Sequence, residues 1–182
     1  AIMTEMIVFP TRVRTRALAP LPPTLLLAVG TTAASAETVP VPANPKNLPA
    51  GLEVLQPYVG QSTCDPVAKP GVKAFANLLL DTYTDTTSLG IVRDCGSGGQ
   101  SEHKEGRAFD WGVSVNNAHQ VTEVNALLGW LLRTDSSGNK ASAARRFGLM
   151  YLVGNKHMWR SYDGAKGWQP YPGAGAHPGP VH

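Results

Sequence analysis

An imidazole and a carboxylate stand in one short segment whose residue types suit a metal site. Residues 101–110 read SEHKEGRAFD and place His103 seven positions before Asp110, with Gly106 between them. Zinc prefers imidazole nitrogen and carboxylate oxygen, and a catalytic zinc site uses three protein ligands with a fourth position left open. Seven positions exceed one helical turn, so we expect the chain to reverse near Gly106 and Asp110 to lie on the following strand. The residues on either side of Asp110 would then point into the core.

The segments around this motif predict an α+β domain. Apolar residues at helical spacing predict helices over 71–83 and 118–133, and a short helix is predicted over 141–147, with Gly148 at its end. Short β-rich or alternating stretches predict four strands, over 88–93, 107–115, 149–153 and 158–162, the last two joined as a hairpin. Because helices and strands are mixed without regular alternation, we expect a small, mostly antiparallel sheet with helices packed on it.

The first 36 residues have the features of an export signal. Three arginines within 12–16 precede a short apolar stretch over 17–29, and residues 34–36 read ASA, which is a cleavage signature. The stretch is too short and too broken by proline to span a bilayer, which takes roughly 20 apolar residues. We predict a signal peptide over 1–36, an extended linker over 37–57, a folded domain over 58–182 and a secreted, extracellular or cell-wall location. A disordered apolar tail is the alternative for 1–36.

Cys64 and Cys95 are the two cysteines of the chain. In an exported protein a disulfide between them is the expected state. A thiolate metal site is the weaker alternative, because the two cysteines do not have the C-x-x-C spacing of such sites.

The charge balance argues against nucleic acid as a partner. Removal of 1–36 takes away three arginines and one glutamate, so the formal charge falls from +3 to +1. A nucleic-acid footprint needs a clustered basic face, which this composition does not indicate. We also expect no stable membrane insertion after signal cleavage, and a monomer.

The pattern Ser-x-His-x-x-Gly-x-Ala-x-Asp over 101–110 resembles the zinc motif of the M15-type D-Ala-D-Ala carboxypeptidases and dipeptidases. A closer resemblance, covering roughly 58–182, is to secreted actinobacterial proteins of unassigned activity. It is carried by RDCGSGG at 93–99, ARR at 144–146, WRSY at 159–162 and GWQPY at 167–171. The resemblance implies a Hedgehog/DD-peptidase-like fold, a Zn²⁺ cofactor and peptidoglycan peptides or other cell-wall material as partner.

The resemblance also assigns individual residues. It implies that His103, Asp110 and His182 are the metal ligands, and that Arg93 is a catalytic residue that stabilises the charged oxygen of the substrate. A plain surface position is the alternative for Arg93. Ser101 is assigned to substrate binding or a loop hydrogen bond, since no G-x-S-x-G context marks it as a nucleophile.

The remaining histidines are expected to have lesser roles. His119 begins a predicted helix and His157 lies in the predicted hairpin, so both are expected at the surface. His177, near the end of the chain, is an alternative metal ligand.

The sequence departs from the family pattern at Gly179, where relatives carry the carboxylate that acts as general base. Glu102 or Glu105, which flank His103, would have to replace it. Loss of a positioned base commonly costs on the order of 100- to 10,000-fold in rate. Two functions therefore stay open: a secreted zinc metallopeptidase-like domain directed at peptidoglycan stem peptides, and a non-catalytic cell-wall-binding module that retains the fold.

Overall fold

A computed structural model describes residues 5–6, 38–43 and 54–171 of the chain. The predicted signal peptide is described only at 5–6, and the predicted linker only at 38–43 and 54–57. The boundaries 1–36, 37–57 and 58–182 therefore stay predictions. Among the described helices, none combines the length and apolar character needed to cross a membrane.

The three predicted helices are confirmed, and each end lies within one residue of its prediction. They are α1 (Pro70–Thr82), α2 (Ala118–Leu132) and α3 (Ser142–Arg146). A proline opens α1, where its missing N–H would have no helical partner in any case. Asn117 caps α2, because its side-chain oxygen accepts hydrogen bonds from two backbone N–H groups of the first turn.

The described strands form two three-stranded sheets. The first contains β1 (Glu5–Met6), β2 (Thr87–Gly90) and β3 (Asp110–Gly112), with β3 in the centre, parallel to β1 and antiparallel to β2. The second is antiparallel and contains β4 (Tyr151–Gly154), β5 (His157–Arg160) and β6 (Gln169–Pro170) in that order. The α+β prediction and the hairpin are confirmed, whereas β6 follows the hairpin as a strand that the sequence did not predict.

The predicted strands 88–93 and 107–115 both end earlier than expected, because side chains take over the backbone groups just beyond β2 and β3. The carbonyl of Ile91, just past β2, lies 3.0 Å from the imidazole of His103. Beyond β3, the N–H of Ser114 donates to the side chain of Gln120 in α2 at 2.7 Å. Both strands therefore end where a polar contact from another element replaces the pairing.

A continuous apolar core joins β3, the three helices and the second sheet. Phe109 and Trp111, on either side of Asp110, are fully buried, as the alternation along the strand predicted. α1 contributes Phe75, whose ring packs edge-on against Phe147 after α3 at 5.2 Å between ring centroids. The core thereby fixes the strand that carries Asp110.

Cys64 and Cys95 form a disulfide, with their Cα atoms 5.8 Å apart. The predicted bridge is therefore confirmed, and the thiolate metal site is the wrong alternative. The bridge joins the segment before α1 to the loop that follows β2.

Candidate functional site

His103, which is buried, meets Asp110, which is partly exposed. His103 lies on a 3₁₀ helix (Glu102–Glu105), and its side chain is 3% exposed. Its Nε2 atom is 3.3 Å from Oδ1 of Asp110, the first residue of β3. The structure thus brings together the two side chains on which the sequence-based metal prediction depends.

The chain reverses between them at Gly106. This residue ends the 3₁₀ helix in the left-handed conformation, at φ +62 and ψ +27, which favours glycine. Its carbonyl accepts from the N–H of Lys69 at 2.8 Å, and a Cβ at this position would overlap the carbonyl of Val67. The glycine therefore serves both the reversal and the close approach of the segment before α1.

The hydrogen bonds of the His103 ring determine what it can bind. Nδ1 is 3.0 Å from the carbonyl oxygen of Ile91, which can only accept, so we assign the proton to Nδ1. In the neutral ring Nε2 then carries a lone pair, and it faces a carboxylate that also only accepts. A second proton or a cation satisfies both acceptors. Metal-bound histidines commonly donate their other N–H to a backbone carbonyl, so the pair fits two ligands of a zinc site.

The other predicted site residues have different surroundings. Arg93 is exposed, and its backbone N–H donates to the carbonyl of His103 at 3.1 Å. Ser101 is buried and its N–H donates to the side chain of Gln61 at 2.7 Å, which is a loop-forming contact.

His182, Gly179 and His177 lie outside the described residues. The roles predicted for all of these residues stay predictions.

The two glutamates considered as a replacement base are engaged by the protein. Glu102 accepts from the hydroxyl of Tyr151 at 2.9 Å. Burial alone would raise the pKa of Glu105, but hydrogen bonds from Ser62, Thr63 and Arg107 lower it to about 2. A carboxylate with so low a pKa is a poor proton acceptor near neutral pH, so Glu105 does not suit the role of the base.

The low pKa of Glu105 predicts that its carboxylate stabilises the folded protein at neutral pH but not at strongly acidic pH. Its folded pKa of about 2 lies below its ordinary value of 4.5, so its contribution is complete above pH 4.5 and disappears as pH falls towards 2. We expect Glu105→Gln to lower the free energy of unfolding by roughly 2–3 kcal/mol at pH 7 and by much less near pH 2. Denaturant unfolding at both pH values measures this difference.

The matched control for Glu105→Gln is Asp163→Asn. Asp163 pairs with Lys166 at 2.8 Å, but both side chains are substantially exposed, and such pairs contribute about 0–1 kcal/mol. A loss for Glu105→Gln that is the same at pH 7 and pH 2 would contradict the assigned hydrogen bonds.

A second polar cluster, not identified from the sequence, contains Asp85, His119 and Glu123. One ligand atom from each residue lies within 4.8 Å of the other two, so the cluster could hold a metal ion. Nε2 of His119 is 3.4 Å from Oε1 of Glu123, one helical turn further along α2. His119 is at the surface as predicted, with its side chain 47% exposed. The His-x-x-x-Glu spacing is the signal that could have identified the pair.

The electrostatics of this cluster are unusual for a protein surface. Glu123 is 3% exposed. Burial, together with the nearby carboxyl of Asp85, raises the pKa of Glu123 from 4.5 to about 7, although His119 acts in the opposite direction. Burial, and to a smaller extent the charge of Glu123, also raises the pKa of Tyr83. Burial and mutual repulsion therefore disfavour negative charge on Glu123 and Tyr83.

Comparison with known proteins gives one family. The family model described as VldE, C-terminal domain, matches residues 64–182, a range that contains both polar clusters and both cysteines. No curated protein matches the chain, and no solved structure does.

Proposed function

The chain belongs to the VldE C-terminal domain family, and we propose that it is an exported zinc-binding domain of the M15 metallopeptidase type, directed at peptidoglycan stem peptides. The observation that carries this proposal is the contact between Nε2 of the buried His103 and the partly exposed carboxylate of Asp110. The motif over 101–110 supports the same assignment, as does the disulfide, which is typical of exported proteins.

The residues of this site have separable tasks. His103 and Asp110 would hold the ion, with the sequence offering His182 as third ligand. The carbonyl of Ile91 orients the imidazole through Nδ1, as hydrogen-bond partners of metal-binding histidines commonly do. A bound zinc ion supplies Lewis-acid chemistry, polarising a carbonyl and lowering the pKa of water. The exposed guanidinium of Arg93, whose backbone is bound to His103, would attract the carbonyl or carboxylate oxygen of the peptide.

A second candidate is a non-catalytic module that binds cell-wall material and retains the ion. The engagement of Glu105 by Ser62, Thr63 and Arg107 favours it, because this carboxylate is then unsuited to replace the base that Gly179 lacks. In this reading His103 and Asp110 stabilise the domain through the ion, and the peptide is bound without being cleaved.

The test compares zinc content and peptide cleavage in the exported full chain. We expect His103→Ala to lose one equivalent of zinc by elemental analysis, together with any release of D-alanine from a stem pentapeptide. Asp110→Asn should do the same with the fold retained, because an amide can donate to Nε2 without an ion. The control His157→Ala removes an exposed imidazole in the hairpin and should change neither measurement.

The outcomes separate the two candidates. Cleavage that requires His103 supports the metallopeptidase, whereas zinc bound at His103 with peptide binding but no cleavage supports the non-catalytic module. An unchanged zinc content in both His103→Ala and Asp110→Asn would overturn the zinc assignment itself.

A further inference from the structure

Asp85, His119 and Glu123 lie towards the opposite end of the β2–β3 pair from Asp110. In the pairing of these strands Asp110 is opposite Gly90, whereas Gly112 is opposite Thr87. Asp85 precedes Thr87 by two residues, in the turn that connects α1 to β2. His119 and Glu123 come from the first turns of α2. The cluster therefore joins two elements that are distant in sequence, and it shares no residue with the His103 site.

Two buried polar atoms at this cluster have no hydrogen-bond partner among the described residues. One is Oε2 of Glu123, whose side chain is 4% exposed. The other is the hydroxyl of Tyr83, a fully buried residue at the C-terminal end of α1 whose pKa responds to the charge of Glu123. Burying a polar group without a partner costs roughly 1–3 kcal/mol. An unpartnered oxygen on one of the three ligand side chains, with the charge of Glu123 also felt at the buried hydroxyl of Tyr83, indicates that the site is built for a bound species.

The backbone around the cluster is held by a set of specific contacts. The Gln120 amide donates to the carbonyl of Asp85 at 2.5 Å, while its oxygen accepts from the N–H of Ser114. The hydroxyl of Thr86 donates to the carbonyl of Tyr83 at 2.7 Å. These contacts fix Asp85 against α2 before any ligand is bound, and preorganisation of this kind lowers the entropic cost of binding.

From this arrangement we propose that Asp85, His119 and Glu123 form a second metal site, which binds a divalent first-row transition ion of the zinc type. The ligand set of one imidazole and two carboxylates suits zinc, whereas calcium and magnesium prefer oxygen ligands throughout. Two carboxylates also balance the charge of a divalent ion, and Glu123 offers one of its oxygens to this group. The ion tethers the turn after α1 to the start of α2.

The competing occupant is a proton shared between the carboxyl groups of Asp85 and Glu123. A shared proton would satisfy one carboxylate oxygen. It would not involve the imidazole of His119, and it would not account for the approach of all three ligand atoms to within 4.8 Å of one another. Metal binding requires deprotonated ligands and therefore releases protons. The two occupants are distinguished by adding zinc at constant pH.

The test is a zinc titration of the exported full chain in the His103→Ala background, which removes the other proposed site. We expect one equivalent of Zn²⁺ to bind with a micromolar or tighter dissociation constant, to raise the melting temperature by several degrees, and to shift the ¹⁵N signal of Nε2 of His119. Adding His119→Ala should weaken binding by at least 100-fold and abolish the temperature rise. His119 is half exposed, so this substitution leaves the core intact.

Asp85→Asn in the same background is the second variant, since Asp85 is exposed and keeps its backbone contact to Gln120. It should also weaken binding at least 100-fold, whereas His157→Ala should bind zinc as the background does. Binding that is unchanged by both His119→Ala and Asp85→Asn overturns the site. A dissociation constant in the millimolar range does so too, and leaves the shared proton as the occupant. Because these titrations start from His103→Ala, their result is independent of the function proposed for His103.

Discussion

Gly106→Ala is expected to lower the free energy of unfolding by about 3–5 kcal/mol, from left-handed backbone strain and overpacking together. At φ +62 a non-glycine residue is strained. In addition, the new Cβ would lie 2.5 Å from the carbonyl carbon of Val67 and 2.9 Å from the nitrogen of Ala68. Both neighbours are backbone atoms, which cannot move aside by a change of rotamer. Denaturant unfolding at neutral pH measures the loss.

Substitutions at two other glycines distinguish the cost of backbone strain from the cost of steric overlap. Gly138 has φ +81, but nothing lies within 4 Å of a Cβ built there, so Gly138→Ala should cost only about 1–2 kcal/mol of backbone strain. Gly129 is an exposed residue within α2 with open space around it, and Gly129→Ala should stabilise by roughly 0.5–1 kcal/mol. If Gly106→Ala costs no more than Gly138→Ala, the contact with Val67 is not what requires glycine at position 106.

The role of Gly106 shows where local sequence information ends. The spacing of His103 and Asp110 around a glycine was enough to predict a reversal, because seven residues cannot fit one helical turn. The second reason for glycine at this position is the close approach of the Val67 backbone, which leaves no room for a Cβ. Val67 is distant in sequence and belongs to no motif. A contact of this kind follows from the packing of the folded chain and cannot be read from residue types.

The same distinction, between local sequence information and tertiary contacts, explains which helix and strand ends were predicted correctly. Helices α1 and α2 were predicted to within a residue, because their apolar faces repeat over several turns of one continuous segment. The short α3 was predicted equally closely, because Gly148 marks the end of its segment. The ends of β2 and β3 were not, since His103 and Gln120 from other elements capture the neighbouring backbone groups. Strand length here depends on tertiary contacts more than on propensity.

The two polar clusters also differ in how far local sequence predicts them. His103 and Asp110 lie in one ten-residue motif, so a single stretch of sequence predicted their contact. The second cluster takes Asp85 from the turn after α1 and combines it with His119 and Glu123 from α2. Only the His119–Glu123 spacing was visible, and an exposed histidine at a helix start is ordinarily a solvated surface residue.

Removal of the disulfide by Cys64→Ser with Cys95→Ser is expected to lower the free energy of unfolding by roughly 3–4 kcal/mol, on the chain-entropy model for this loop. The cysteines are 31 positions apart and both are exposed. Serine therefore leaves no buried cavity, and the loss comes from the greater freedom of the unfolded chain. The comparison is denaturant unfolding of the oxidised protein and the double variant. Each single variant should lose as much as the double variant, because either one removes the bridge.

Because of the position of the disulfide, its removal is expected to destabilise the segments next to it in addition to lowering the stability of the whole domain. Next to Cys64, the N–H of Asp65 donates to the carbonyl of Lys104, and two residues before Cys95 the N–H of Arg93 donates to the carbonyl of His103. The bridge therefore joins the two segments that flank the 3₁₀ helix. Amide hydrogen exchange in the double variant should accelerate most over 61–69 and 91–106, and much less in α2. Uniform acceleration would mean that the bridge stabilises the domain without positioning His103.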